Sequence, residues 1–288
     1  MRDRIFHPIF KRLFRHGVQI AGRRIDLSAM PWLQDPQGSC QIGADFFERL
    51  AAARGWQIQE NVGLLPSFSE LAGATFSPER VHPQVRHFYE HTADYQMTIW
   101  SVWNGLFRPF GALMVHGYCR KIQQFNLPLS PLDTCYGVTN RVISLAKPGQ
   151  QDPVYAAWIR CNARTGVPMY VSNFASIDKL PGCPSPCIKV VFPLPQGSAM
   201  VFLQPFSQHN SLLLTSQGKR FGEPGLYLIQ RGSDSQARVA YVSLFQEQLR
   251  VFVDEHNQLR ADHLFKIGGF DALKLHYRFD RVISQSER

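Results

Sequence analysis

Residues 188–216 read IKVVFPLPQGSAMVFLQPFSQHNSLLLTS, and this stretch decides the fold. Ile188–Pro193, Ala199–Leu203 and Ser211–Ser216 are apolar runs of five or six residues, too short for core helices and rich in Val, Ile and Phe. Pro193, Pro195 and Pro205 bar a continuous helix, and Pro195-Gln196-Gly197 is turn chemistry. Three strands joined by short turns satisfy all of these constraints.

The same punctuation continues on both sides. From Asn140 onward it predicts further strands at Arg141–Leu145, Val154–Arg160, Pro168–Phe174, Leu226–Arg231, Val239–Phe245, Arg250–Asp254, Leu259–Ile267 and Leu273–Phe279. Up to eleven strands at roughly ten-residue spacing, with no helices between them, argue for antiparallel pairing, since parallel strands need crossover helices.

Upstream the periodicity becomes helical. Asp45 is a candidate N-cap and Gly55 a stop for a helix over Phe46–Arg54. Ser77-Pro78-Glu79-Arg80 has helix-start chemistry. Val85, Phe88, Thr92, Tyr95, Ile99 and Trp103 then recur at three- and four-residue steps, which predicts a long helix from about Pro83 to Trp103. A further helix is expected from about Phe110 to Phe125.

The expected class is therefore α+β: a helical N-terminal part followed by a large antiparallel β-barrel or sandwich of about ten strands. The expected division is a basic amphipathic segment over 1–24, a mainly helical part over 25–135 and the β part over 136–288. The last two are read as one integrated domain.

The charge is unevenly spread. The 288 residues carry 31 Lys and Arg against 22 Asp and Glu, a net charge of +9, yet residues 1–24 alone hold seven basic side chains against Asp3. The remainder is nearly neutral, so no nucleic-acid partner is expected. The N-terminal segment places Phe6, Ile9, Phe10 and Leu13 opposite Arg4, Lys11, Arg12 and Arg15, which suits an anionic membrane surface contacted by residues 1–16. Its interrupted apolar run is not a secretory signal, and no segment has the unbroken ~20 apolar residues of a spanning helix. Six scattered cysteines fit free thiols in a reducing cytoplasm. Cys183-Pro-Ser-Pro-Cys187 reads as two ordinary thiols flanking a turn.

The most concentrated titratable groups are in His87-Phe88-Tyr89-Glu90-His91, an H-x-x-E-H pattern followed by Asp94. His87 and His91 lie one helical turn apart, and Glu90 has the position of a general base. The acidic ligand such proteases need is missing downstream, since no glutamate occurs between Glu90 and Glu223. His87, Glu90, His91 and Asp94 are therefore read as candidate catalytic acid–base residues, with no metal and no cofactor expected. Tyr95, Trp100, Trp103 and Arg160 are the candidate ligand-binding residues, the aromatics as pocket wall and Arg160 as an anion contact. Asp262-His263 suggests an acid–histidine pair, but strand alternation puts the two on opposite faces. His276 reads as a core or cross-strand histidine.

Phe88-Tyr89-Glu90-His91-Thr92, Trp103, Phe107-Arg108-Pro109-Phe110, Phe192-Pro193-Leu194-Pro195 and Ala261-Asp262-His263 resemble an uncharacterised bacterial family. Together they are similar to the soluble C-terminal part of YndJ-type membrane proteins, over about Val81 to the C-terminus. The resemblance implies a bacterial cytoplasmic setting near membranes and carries over no catalytic residues.

The leading functional expectation is binding of a hydrophobic small molecule or lipid in a barrel lumen, with isomerase- or cyclase-like acid–base chemistry. The alternatives are a non-enzymatic membrane-peripheral module and a metal-dependent hydrolase.

Overall fold

The computed structural model describes residues 16–34, 42–150, 152–232 and 235–282. Residues 1–15, which carry most of the amphipathic 1–24 segment and nearly all of its proposed membrane face over 1–16, lie outside the described residues.

Among the described residues fourteen strands form one sheet: β1 Arg23–Asp26, β2 Gln57–Glu60, β3 Tyr95–Trp103, β4 Val138–Ala146, β5 Tyr155–Asn162, β6 Pro168–Ile177, β7 Cys187–Leu194, β8 Gly197–Gln208, β9 Ser211–Thr215, β10 Leu226–Arg231, β11 Gln236–Val242, β12 Phe245–Val253, β13 Leu259–Ile267 and β14 Phe270–Arg281. Ten of them close into an antiparallel barrel in the order β8-β7-β6-β5-β4-β3-β14-β13-β12-β9, with β9 returning to β8. The eleven strands read from sequence correspond to β4–β14. Closure removes the open edges that such a sheet would otherwise expose.

Two strands serve more than one neighbour on the same side. The first half of β8 pairs with β10, and its second half, after a break near Leu203, pairs with β9. Strands β10, β11 and β1 thus extend outward from the barrel wall as a flap with its own core of Leu33, Phe202, Tyr227 and Ile229. Likewise β4 meets β3 through Met97 opposite Val138, while its far end pairs with β2. Where the β3–β4 ladder is missing, the Asn140 side-chain amide donates to Thr92 O (2.8 Å) and Tyr95 O (2.7 Å).

The expected helix over Pro83–Trp103 is half helix and half strand. Helix α2, Pro83–Glu90, stops where His91 leaves helical geometry, and Tyr95–Trp103 continues as β3. Tyr95, Ile99 and Trp103 are four residues apart, a spacing that fits one helix face and also one strand face. Alternation is the deciding signal: Tyr95, Met97, Ile99 and Ser101 are buried, whereas Gln96, Trp100 and Val102 are exposed. Helix α1, Phe46–Arg54, ends as expected on Gly55, whose φ of 64° is left-handed. Asp45 precedes it without capping it and pairs with Arg49 instead.

The barrel ends are closed differently. At one end Phe88 and Tyr89 of α2 pack with Leu64, Leu65, Phe68 and Phe279. At the other, α3 (Arg108–Met114) runs through a π turn, Val115–Cys119, into Arg120–Ile122. Tyr118 and Ile122 pack on Leu194 and Ala199. A Cβ at Gly111 would lie 2.5 Å from the Trp103 ring, so glycine there lets α3 rest directly on the indole.

Candidate functional site

Inward positions of a barrel strand alternate with outward ones, and in this barrel the inward set is almost wholly apolar. Val190, Phe192, Val201, Leu203, Leu249, Val251, Leu273 and Phe279 line a cavity of about 420 Å³. That volume falls in the range of about 300–1,000 Å³ found for small-molecule pockets. Phe110 and Ile267 line the cavity while being 57% and 37% exposed, which locates its mouth between α3 and the β13–β14 hairpin. The outward positions of β12–β14 are polar instead, including Gln246, Arg250, Asp262, Lys274 and Arg278.

Three charged or imidazole side chains interrupt the apolar lining: Arg160 on β5, Glu247 on β12 and His263 on β13. His263 Nε2 lies 3.1 Å from Glu247 Oε2, and both side chains are largely buried. Arg160 is 7% exposed. Its guanidinium carbon sits 4.2 Å from the Trp158 ring centroid and 4.3 Å from that of Tyr170, so two aromatic faces hold it. Tyr277 completes the group, within hydrogen-bonding reach of Arg160. Burial raises the phenol pKa of both Tyr170 and Tyr277, against the opposing pull of the Arg160 charge, which keeps both hydroxyls protonated as donors.

Of the ligand-binding candidates read from sequence, Arg160 and Trp103 line the lumen, and Trp103 Nε1 donates to Pro128 O (2.8 Å). Trp100 does not: it is on the outer face of β3, 5.8 Å from the His276 ring. Tyr95 is buried and bonds His87 Nδ1 at 3.0 Å.

The four catalytic candidates are not among the lumen-lining residues. The His87 and His91 rings lie 4.5 Å apart, tilted by 31°, on the side of α2 away from Phe88 and Tyr89. Glu90 accepts the Phe68 backbone N–H (2.8 Å) and lines a second, more polar cavity with Gln59, Glu70 and Asp152. One ligand atom each from His87, His91 and Asp94 lies within 4.8 Å of the others, a spacing that can hold a metal ion. Burial, then the His91 and Arg281 charges, lower the His87 pKa, so the cluster sits beside a cation that opposes a second one.

Asp262 and His263 do face opposite sides. Asp262 reaches outward to His276 (2.7 Å), and His263 reaches inward to Glu247. The partner of His263 is thus a residue on the neighbouring strand, where Glu247 stands opposite Phe265. A search for acids along β12 at inward parity would have found Glu247. Nothing local in sequence links Glu247 with Arg160, which lie on strands remote in the chain.

No family model matches the chain, and no solved structure matches it. The chain is similar to a protein of Bacillus subtilis (strain 168) named uncharacterized membrane protein YndJ, with 25% identity over 253 residues. The likeness to a YndJ-type protein is weak but extended. It covers 87% of this chain and 43% of the relative, so the chain spans less than half the length of the protein it matches. Among the described residues no helix is long and apolar enough to cross a membrane.

Proposed function

We propose that this chain binds an apolar small molecule or lipid inside its barrel, with the Glu247–His263 pair available for proton transfer on the occupant. The observation that carries this reading is the cavity of about 420 Å³, apolar except for Arg160, Glu247, His263 and the tyrosines beside them. Few convergent polar groups in an apolar pocket are the usual form of a ligand site. A hydrogen-bonded carboxylate–imidazole pair is the usual form of an acid–base device, as in isomerases and cyclases. The test is titration of the purified full chain with the neutral fluorophore N-phenyl-1-naphthylamine. Saturable binding at one site per chain, competed by long-chain lipids, is the expected result. Absence of saturable binding overturns the reading.

A second reading, a membrane-peripheral module, is favoured by the rim of the lumen mouth. Leu106 (86% exposed), Val102, Leu113, Leu244 and Phe270 stand out around it. Hydrogen bonds from Gly268 N to Leu244 O and from Asn104 N to Ala272 O hold these segments side by side. Arg108, Lys266 and Lys274 accompany the rim against a single acid, Asp271. An apolar rim set among cations suits an anionic membrane, and its continuity with the lumen gives a lipid a dry route inward. Leu106→Asp with Phe270→Asp is expected to reduce co-sedimentation with phosphatidylglycerol vesicles. Retained binding that disappears on deleting residues 1–16 would transfer the contact to the N-terminal segment.

A further inference from the structure

We propose that the occupant of the lumen is a long-chain monocarboxylate whose head is held by Arg160. This rests on the lumen-binding reading above and adds the chemical class of the ligand.

The lumen holds a buried polar atom with nothing to bond. Arg160 is buried, yet among the described residues its Nε has no hydrogen-bond partner. A buried donor left unsatisfied costs roughly 1–3 kcal/mol, and more when it is charged, so native structures rarely keep one without a use. The aromatic rings of Trp158 and Tyr170 lie against the guanidinium and offer no acceptor, and the Tyr277 hydroxyl, which is within reach of the guanidinium, leaves Nε unbonded. Glu247 is the one carboxylate among the lining residues, and it is engaged by His263. Among the described residues no carboxylate lies within ion-pairing distance of Arg160.

The missing partner is therefore an acceptor brought by the ligand. A planar carboxylate matches the guanidinium fork with two parallel hydrogen bonds. Tyr277, kept as a neutral hydroxyl by burial, stands ready as a further donor to the same head. A single guanidinium without a carboxylate partner calls for one negative charge, which favours a monoanion over a phosphate dianion. Apart from Glu247 and His263, which bond each other, the rest of the wall is mostly apolar, including Phe192, Leu203, Leu249 and Phe265, and provides for a hydrocarbon tail. A fixed cation between aromatic faces also distinguishes acid from alcohol, because only the acid neutralises it.

The test compares dodecanoate with dodecanol, both below their aggregation limits, as competitors of N-phenyl-1-naphthylamine on the full chain at pH 7.4. Dodecanoate is expected to compete at about tenfold lower concentration or better, the equivalent of one charge-assisted hydrogen bond. Arg160→Gln should bring acid and alcohol together, and Arg160→Lys should keep part of the difference. Equal competition in the unmutated chain overturns the carboxylate assignment and leaves the lumen reading standing. A tighter dodecanol, or a difference that survives in Arg160→Gln, overturns the assignment as well. No fluorophore binding by the unmutated chain overturns the lumen reading itself. The acid–alcohol comparison needs no variant, so a misfolded Arg160 mutant does not shelter the proposal.

Discussion

Two clusters of ionisable side chains compete for attention in this molecule, and they differ in how the chain assembles them. His87, His91 and Asp94 come from one short stretch, adjacent because a helical turn makes them so. Arg160, Tyr170, Glu247, His263 and Tyr277 come from five strands, adjacent because a barrel closes. The first cluster lies off the lumen with water on one side. The second lies in a mostly apolar cavity, where each charge interacts more strongly and each unpaired donor costs more than at the surface. Sequence density of titratable groups does not tell which of them line the bore of a barrel.

The sharpest way to break this contrast is to fill the lumen. Ala261→Phe places a ring into the cavity wall where Ala261 is buried and lining. Fluorophore binding should weaken by about tenfold or more, at an overpacking cost of roughly 1–3 kcal/mol in urea unfolding. Undiminished binding would move the ligand out of the barrel.

A smaller effect is expected from the polar pair inside it. Glu247→Leu leaves the buried His263 ring without its acceptor and should cost about 1–3 kcal/mol, while Glu247→Gln keeps a hydrogen bond and should cost less. Equal stabilities for the two variants would remove the pair from any structural role.

The smallest effect concerns the outer cluster. The His87 pKa lies below its ordinary value of 6.5 in the folded chain, so folding disfavours its proton. The associated stability is fully present above pH 6.5 and is lost as the pH falls through the unfolded and then the folded pKa. Urea midpoints between pH 5 and 8 should decline at the acid end, and His87→Gln should flatten part of that slope. The same variant should leave lumen binding within about twofold, since His87 is not in the lining; a larger loss would couple the two clusters.

The fold was legible where strand signals are local. Prolines, turn residues and β-branched runs located β4 to β14, because each strand is short and punctuated at both ends. It was not legible at β3, where a four-residue recurrence of Tyr95, Ile99 and Trp103 satisfies both periodicities and only the exposed residues between them discriminate. Of the candidate site residues read from sequence, Arg160 and Trp103 line the cavity, and the other ligand-binding candidates, Tyr95 and Trp100, do not. The partners of Arg160 were hidden, since Tyr277 stands 117 positions further on and meets it only across the closed bore.

Closure itself is uneven. Nine of the wall's junctions are ladders, but β3 meets β4 at the single pair Met97–Val138, with Asn140 as the pin. The barrel is in this sense a split ring rather than a hoop. Of the ten junctions in the wall, β3–β4 is the one held by the fewest ladder pairs, so the seam beside Met97 and Val138 is where the ring is least tied.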